Sequence, residues 1–299
     1  MKKQKKFTRM DWLDKSFDVV NFIMMTAVFV ITVYPLIIVV SSSCSSAEAL
    51  MAGKVRFLPV DFTLDGYKAV FANKNILTGL ENSIFYTVAG TFVQMTMTIL
   101  AAYPLSRNDF KLKGIISLLF ALTMWFSGGL IPTYLLVRNL GLFNTRLALI
   151  LPSAFSVWNM VIVRTYFQSN INAEMLEAAK IDGCDDFRYL WQIAIPLSTP
   201  VIAVIALYYA VANWNVFQQA YMYIQDQNLF PIQVVLRDIL LLSQTQELSG
   251  DVASGTNARL MSELLKYAVV VVASLPMVIV YPFVQKFFVK GIMVGGVKG

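Results

Sequence analysis

Residues 19–40 read VVNFIMMTAVFVITVYPLIIVV, twenty-two consecutive positions without a charged side chain. At about 1.5 Å per residue, a helix of that length covers a hydrocarbon core of about 30 Å. Inside lipid a chain must satisfy its own backbone polar groups, so a run of this kind reads as a membrane-spanning helix. Further charge-free runs follow at 82–105, 114–137, 147–163, 197–220 and 267–285. The 299 residues are 57% hydrophobic and only 14% charged, more apolar surface than a soluble domain of this length can bury. The expected fold is therefore all-α, a polytopic membrane protein of six spans. Internal prolines at Pro35, Pro132, Pro152 and Pro276 each remove one hydrogen bond, which a packed bundle tolerates.

Charge placement sets the expected orientation. MKKQKKFTRMDWLDK at the N-terminus carries six basic and two acidic residues, which assigns it to the cytoplasm. Six spans return the C-terminus to the same side, giving a cytoplasmic segment at 1–18, a permeating domain at 19–285 and a cytoplasmic tail at 286–299. With that topology the inner segments hold fifteen of the 24 Lys and Arg residues, and the outer loops nine. The excess of positive charge is thus a topological signal, and nucleic-acid binding is the poorer explanation. The start of the chain, ending in VVSSSC, resembles a lipoprotein signal only superficially. Its apolar run exceeds a signal core of roughly 7 to 15 residues, and Ser41 stands where a branched apolar residue belongs. Cys44 and Cys184 fall on opposite sides of the membrane in this topology, so they cannot pair, and neither has the setting of a metal ligand or nucleophile.

Several chemistries are excluded by composition. The chain contains no histidine, which removes imidazole-based triads, His-bearing zinc sites and proton relays. The spans carry no Asp, Glu, Lys or Arg, which disfavours an ion-coupled carrier. GDVASG at 250–255 has the glycine spacing of a phosphate-binding loop, but Thr256 and Asn257 follow where Lys and Ser or Thr are needed. No nucleotide or metal cofactor is expected in this chain, and no catalytic residue.

Between the fourth and fifth runs lies EMLEAAKIDGCDDFRYLWQIAIPLSTP, residues 174–200. Asn172 is a candidate N-cap, and Glu174 and Glu177 suit the positive end of a helix dipole. Met175, Leu176 and Ala179 form a small apolar face, and Gly183 follows where a left-handed turn ends a helix. A second helix from about Asp185 leads through Tyr189 and Trp191 towards Pro196. Solvated loops carry such charges too, but a passive connector needs only a few residues. The coupling loop 172–196 is longer, helix-biased and punctuated by glycine, so it reads as a rigid knob shaped for a cleft in another protein.

Glu177-Ala178-Ala179, then Gly183 after three residues, then Ile193-Ala194-Ile195-Pro196 after nine more, resembles the EAA motif of ABC importer permeases. Ile195 in place of Leu is the one departure. Residues 208–240 and the C-terminal SLPMVIVYPFVQKFFVKGIMVGGVKG look like the carbohydrate-uptake branch, the smaller six-helix permeases of maltose type. The resemblance covers nearly the whole chain. It implies a non-catalytic transport subunit of a bacterial cell membrane, working with a homologous second permease and two cytoplasmic ABC ATPase subunits that bind ATP and Mg. It also implies an extracellular or periplasmic solute-binding protein as partner, and a carbohydrate substrate, expected to be an oligosaccharide. In this family the knob is the coupling helix, which assigns that role to Met175, Leu176, Glu177, Ala178, Ala179, Gly183, Ile193 and Pro196.

The loops 41–81 and 221–266 then face outwards. Ile232, Val235, Leu236, Ile239 and Leu240 fall at helical spacing and suit core packing or contact with the membrane face. SQTQELSGDVASGTNAR after them is small and polar, and Ser249, Gly250, Gly255 and Thr256 mark a candidate loop for probing the binding protein; a disordered linker has the same composition. Amides beside aromatics are candidate path-lining groups: Gln94 and Thr98, Ser156 and Asn159, and Asn213, Trp214 and Asn215. Interhelical hydrogen bonding is the plainer role for each of them. Rival functions are a permease for amino acids or peptides, which shares the coupling motif, and a receptor or passive channel, which needs no coupling helix.

Overall fold

A computed structural model describes residues 9–249 and 256–295, and among them every regular element is a helix. The chain divides into two compact units, residues 1–72 with 242–271 and residues 73–241 with 272–299.

The first unit opens with α1 (Arg9–Ser43), followed by the short helices α2 (Ala47–Met51) and α3 (Asp65–Ala72). Asp14–Ser43 is long and apolar enough to cross a membrane, and none of its most apolar window is buried within the chain. At its end the serine run folds inwards. Ser45 donates to the Ser41 carbonyl and accepts from the Val60 amide, and Ser43 shares a 2.7 Å hydrogen bond with the Tyr67 hydroxyl. Together with a 2.7 Å bond from the Ser41 hydroxyl to the Phe57 carbonyl, these contacts explain why Ser41, Ser43 and Ser45 are buried despite their polarity.

The second unit is organised around α4 (Lys74–Ser106), capped by the Asn73 side chain. Then follow α5 (Lys113–Trp125), α6 (Leu130–Asn139), α7 (Leu147–Ile150) and α8 (Val157–Asn170). After these come α9 (Ala173–Ile181), α10 (Asp186–Tyr189), a π-helical turn at Leu190–Ala194, α11 (Ile195–Leu197), α12 (Thr199–Trp214) and α13 (Gln218–Tyr223). The long helices α14 (Ile232–Ser249) and α15 (Thr256–Gly295) contribute residues to both units. Met95, Ala102 and Tyr103 of α4, Val163 and Phe167 of α8, and Ile205 and Tyr209 of α12 form one apolar core. The far end of α4 is held differently: Asn82 donates to the carbonyls of Asn228 and Phe230, Tyr86 to that of Leu229, and Ser83 accepts from the Ile232 amide.

Three of the expected spans are not single helices. Across 114–137 the chain bends by 112° between Trp125 and Leu130, where Gly129 takes φ +82°. The run 147–163 is interrupted at 151–156, around Pro152, and its helix then continues past Arg164 to Asn170. The run 197–220 begins at an 85° bend by Ser198, just before Pro200, and stops at Trp214 before α13 resumes the helix. Among the described residues three helices by themselves, or up to five if each bent pair counts as one, are long and apolar enough to cross a membrane. The polar segment after Leu242 also differs from expectation, being helical up to Ser249 and again from Thr256; Gly250 and Gly255 lie outside the described residues.

Candidate functional site

The knob begins at Asn172, which takes the extended N-cap conformation, although its side chain makes no capping bond. At the other end of α9 the Cys184 amide donates to the Ala179 carbonyl at 2.9 Å and the Gly183 amide to that of Lys180 at 3.1 Å. Together with φ +77° at Gly183 these two bonds make a Schellman C-cap, the conformation that favours glycine. Nothing among the described residues lies within 4 Å of a Cβ built there, so the glycine is required by the turn and not by a close approach. Asp185 then caps α10, accepting from the Arg188 amide at 2.7 Å.

Packing separates the two faces of the knob. Ala179, Tyr189, Leu190 and Ala194 are buried in the same core as α4, α8 and α12, with Leu176 and Ile193 packed against it. Of the three residues of the small apolar face, Ala179 and Leu176 therefore pack into the seat of the knob, and Met175 faces outwards. The outward apolar groups are Met175, Ile181, Phe187 and Trp191, with Ala178 and Glu177 also exposed. Ile181 is 86% exposed, more than any other large apolar residue of α9.

One cluster of charges was not foreseen as part of the site. Arg107, just past the end of α4, donates to Asp109 through Nε at 2.8 Å and again through Nη2. Its Nη1 reaches Asp186 on α10 and the Tyr103 hydroxyl at 3.3 Å. Lys180 on α9 closes the network with a 3.1 Å bond to Asp109. The α10 arm of the knob is thus tied to the end of α4 by the guanidinium itself and the α9 arm through Asp109, a junction to which the planar fork of Arg107 is suited. The hydrogen bonds from Arg107, reinforced by Lys180, hold the Asp109 carboxyl well below the usual carboxylate range. Beside this network is an open cavity of about 620 Å³ lined by Arg107, Gln168, Glu174, Glu177 and Lys180. The sequence does show charges immediately after the second apolar run and in the knob, but their pairing spans more than seventy positions.

The candidate path residues are mostly engaged between helices. Gln94 donates to the Ser153 carbonyl at 2.9 Å and accepts from Asn213 at 2.8 Å, while Asn213 also reaches Thr91. One turn away, Thr98 and the Tyr209 hydroxyl are 2.7 Å apart. Trp214 is buried and donates to the Ala273 carbonyl at 3.0 Å. Asn215 is exposed and bonds back to the Val211 carbonyl. Ser156 caps α8, accepting from the amide of Asn159, a residue that is itself buried. These contacts make Gln94, Thr98, Asn213 and Trp214 parts of the helix packing.

Residues 7–294 match the family described as "Binding-protein-dependent transport system inner membrane component". The protein LplC of Bacillus subtilis (strain 168) is 43% identical over 283 residues, covering 95% of each chain. The polygalacturonan/rhamnogalacturonan transport system permease protein YtcP of the same organism is 40% identical over 287 residues, covering 96% of this chain and 99% of that one. A solved structure described as a bacterial ABC transporter involved in the import of the acidic polysaccharide alginate superposes with a TM-score of 0.85 at 32% identity, over 95% of this chain and 100% of the other. With a family match over nearly its whole length, a helix-turn-helix knob seated in its core and helices of membrane-crossing character, the chain belongs to the family of inner membrane components of binding-protein-dependent transport systems.

Proposed function

We propose that this chain is the permease subunit of a carbohydrate importer, moving an oligosaccharide by alternating access driven from outside the chain. The observation that carries the reading is the knob, with a capped turn at Gly183, an exposed apolar crest at Met175, Ile181 and Phe187, and a buried seat among α4, α8 and α12. A surface of that build is suited to a cleft, and its seat lets a push on the crest reach three long helices. Relatives named for polygalacturonan, melibiose and arabinooligosaccharide transport support a carbohydrate as cargo.

In this reading two ATPase subunits bind ATP and Mg, and a homologous permease completes the path. A solute-binding protein docks on the outer face, with Ser249, Gly250, Gly255 and Thr256 as its candidate contacts. The chain crosses the cell membrane six times, the broken runs counting as crossings, with both termini and the knob in the cytoplasm. It makes and breaks no covalent bond. ATP-driven closure of the ATPases shifts the equilibrium between inward-open and outward-open forms by binding them unequally.

Co-purification and reconstitution test this. The chain should elute with an ATPase, and Gly183→Arg should abolish that association and uptake together. ATP-independent sugar flux by the chain alone would show it to be a passive channel instead.

A further inference from the structure

Between the knob and α12 the chain does not run as one helix. After α10 ends at Tyr189, Leu190–Ala194 form a π-helical turn, α11 takes Ile195–Leu197, and at Ser198 the axis bends by 85° into α12. Turns of the π type are rare, and they are found frequently at functional sites. The two ends of this link share a second peculiarity. Tyr189 and Ser198 are 1% and 0% exposed, and neither hydroxyl has a hydrogen-bond partner. Only four buried side-chain polar atoms among the described residues are in that position, and two of them bracket this link. A buried hydroxyl without a bond costs stability, so native structures keep few of them.

The surroundings give the link both a seat and room. Leu190 and Ala194 are buried in the core shared by α4, α8 and α12, whereas Trp191 and Ile195 line an open groove of about 540 Å³ facing Met95 and Ile99 of α4. Side chains on that side can move without opening a void in a close-packed interior. A partner for each hydroxyl is also near. The Tyr189 ring is 6.5 Å from that of Tyr103, whose hydroxyl accepts from Arg107 at 3.3 Å. Ala194 stands four residues before Ser198, the place to which a helical serine hydroxyl bonds back, yet only the Ser198 amide uses its carbonyl, at 3.1 Å. We propose that the link from Tyr189 to Ser198 is a two-state joint, whose π-turn changes its hydrogen-bond pattern when the knob is pushed. The hydroxyls idle in this conformation are paired in the other, Tyr189 at the Arg107 junction and Ser198 with the Ala194 carbonyl. This rests on the ATPase-driven reading above and names the residues whose pairing sets the balance between its two forms. Such a balance shifts only through a difference between the states, and hydroxyl bonds made in one state alone are such a difference.

The test uses the complete importer, with its ATPases, second permease and binding protein. Thermal midpoints are read for the nucleotide-free form and for the form trapped with ATP and vanadate. Tyr189→Phe and Ser198→Ala each delete an idle hydroxyl from one conformation and a bonded one from the other. Each should therefore raise the midpoint of one form by about 2 °C and lower that of the other by a similar amount. Sugar uptake in proteoliposomes should fall about fivefold, the equivalent of one hydrogen bond. Backbone amides of 190–198 should exchange hydrogen at different rates in the two forms. Midpoints that move the same way in both forms, as loss of a hydroxyl with a constant partner gives, would overturn the assignment. Equal exchange across 190–198, or wild-type uptake in both variants, would do so as well. A wild-type complex that hydrolyses no ATP and imports no sugar overturns the importer reading itself.

Discussion

At Gly183 the backbone holds φ +77°, which lets the Gly183 and Cys184 amides bond the end of α9, so any side chain there works against a conformation that L-residues rarely adopt. Gly183→Ala should cost about 1 kcal/mol at the turn, with Asn tolerated better and Val worse. ATPase co-purification should fall in the order Gly, Asn, Ala, Val. Arg107 is the other single residue on which the knob depends, its side chain only 11% exposed at the junction of Asp109, Asp186 and Tyr103. Arg107→Ala should lower complex stability by about 1 to 2 kcal/mol after allowance for the exposure of its carboxylate partners, and uncouple ATP hydrolysis from uptake. The folded Asp109 carboxyl titrates below its unfolded range near about pH 4, so its contribution is complete above that range and is lost as the pH falls through and below it. Acid-induced loss of thermal stability below about pH 4 should therefore be smaller in Asp109→Asn than in the native complex, read as thermal midpoint against pH.

Between elements, the contact of α4 with α12 has a polar ladder inside an apolar seam: Gln94 with Asn213, and one turn on, Thr98 with Tyr209. Gly90 completes it, because a Cβ there would lie 2.9 Å from the Asn213 amide nitrogen. Hydrogen bonds of this kind contribute about 0.6 to 2 kcal/mol between membrane helices. In a double-mutant cycle Gln94→Ala and Asn213→Ala should couple by about that amount, measured by denaturation in mixed micelles. Zero coupling would favour the path-lining role for both amides.

For the whole molecule, the two faces of the knob imply two separable phenotypes. Ala179 and Leu176 pack inwards, while Glu177 and Met175 face outwards, on the side of the proposed ATPase contact. Glu177→Lys should insert in the membrane normally yet lose ATPase subunits on purification, whereas Ala179→Glu should reduce the amount of folded protein itself. Membrane-fraction yield and subunit stoichiometry distinguish the two. The described length of α1 is similarly telling, since its apolar window is exposed throughout and calls for lipid or another chain to cover it.

The all-helical, membrane-crossing character was legible in residues alone, because an uncharged run longer than a bilayer has one low-cost environment. The turn at Gly183 and the helix before it were legible for the same local reason: a glycine after a helix-forming run permits the C-cap. Breaks at Gly129 and Pro152 were marked by their residues, yet uninterrupted apolar runs concealed them, since hydropathy does not register a bend. The tertiary structure decided what depends on partners distant in sequence. It paired Gln94 with Asn213 across two helices, seated Ala179 in the core, joined Arg107 to α10 directly and to α9 through Asp109, and left Arg164 within a helix with no carboxylate partner among the described residues. Charge and polarity are properties of a residue, but satisfaction is a property of its neighbours, and only folding brings those neighbours together.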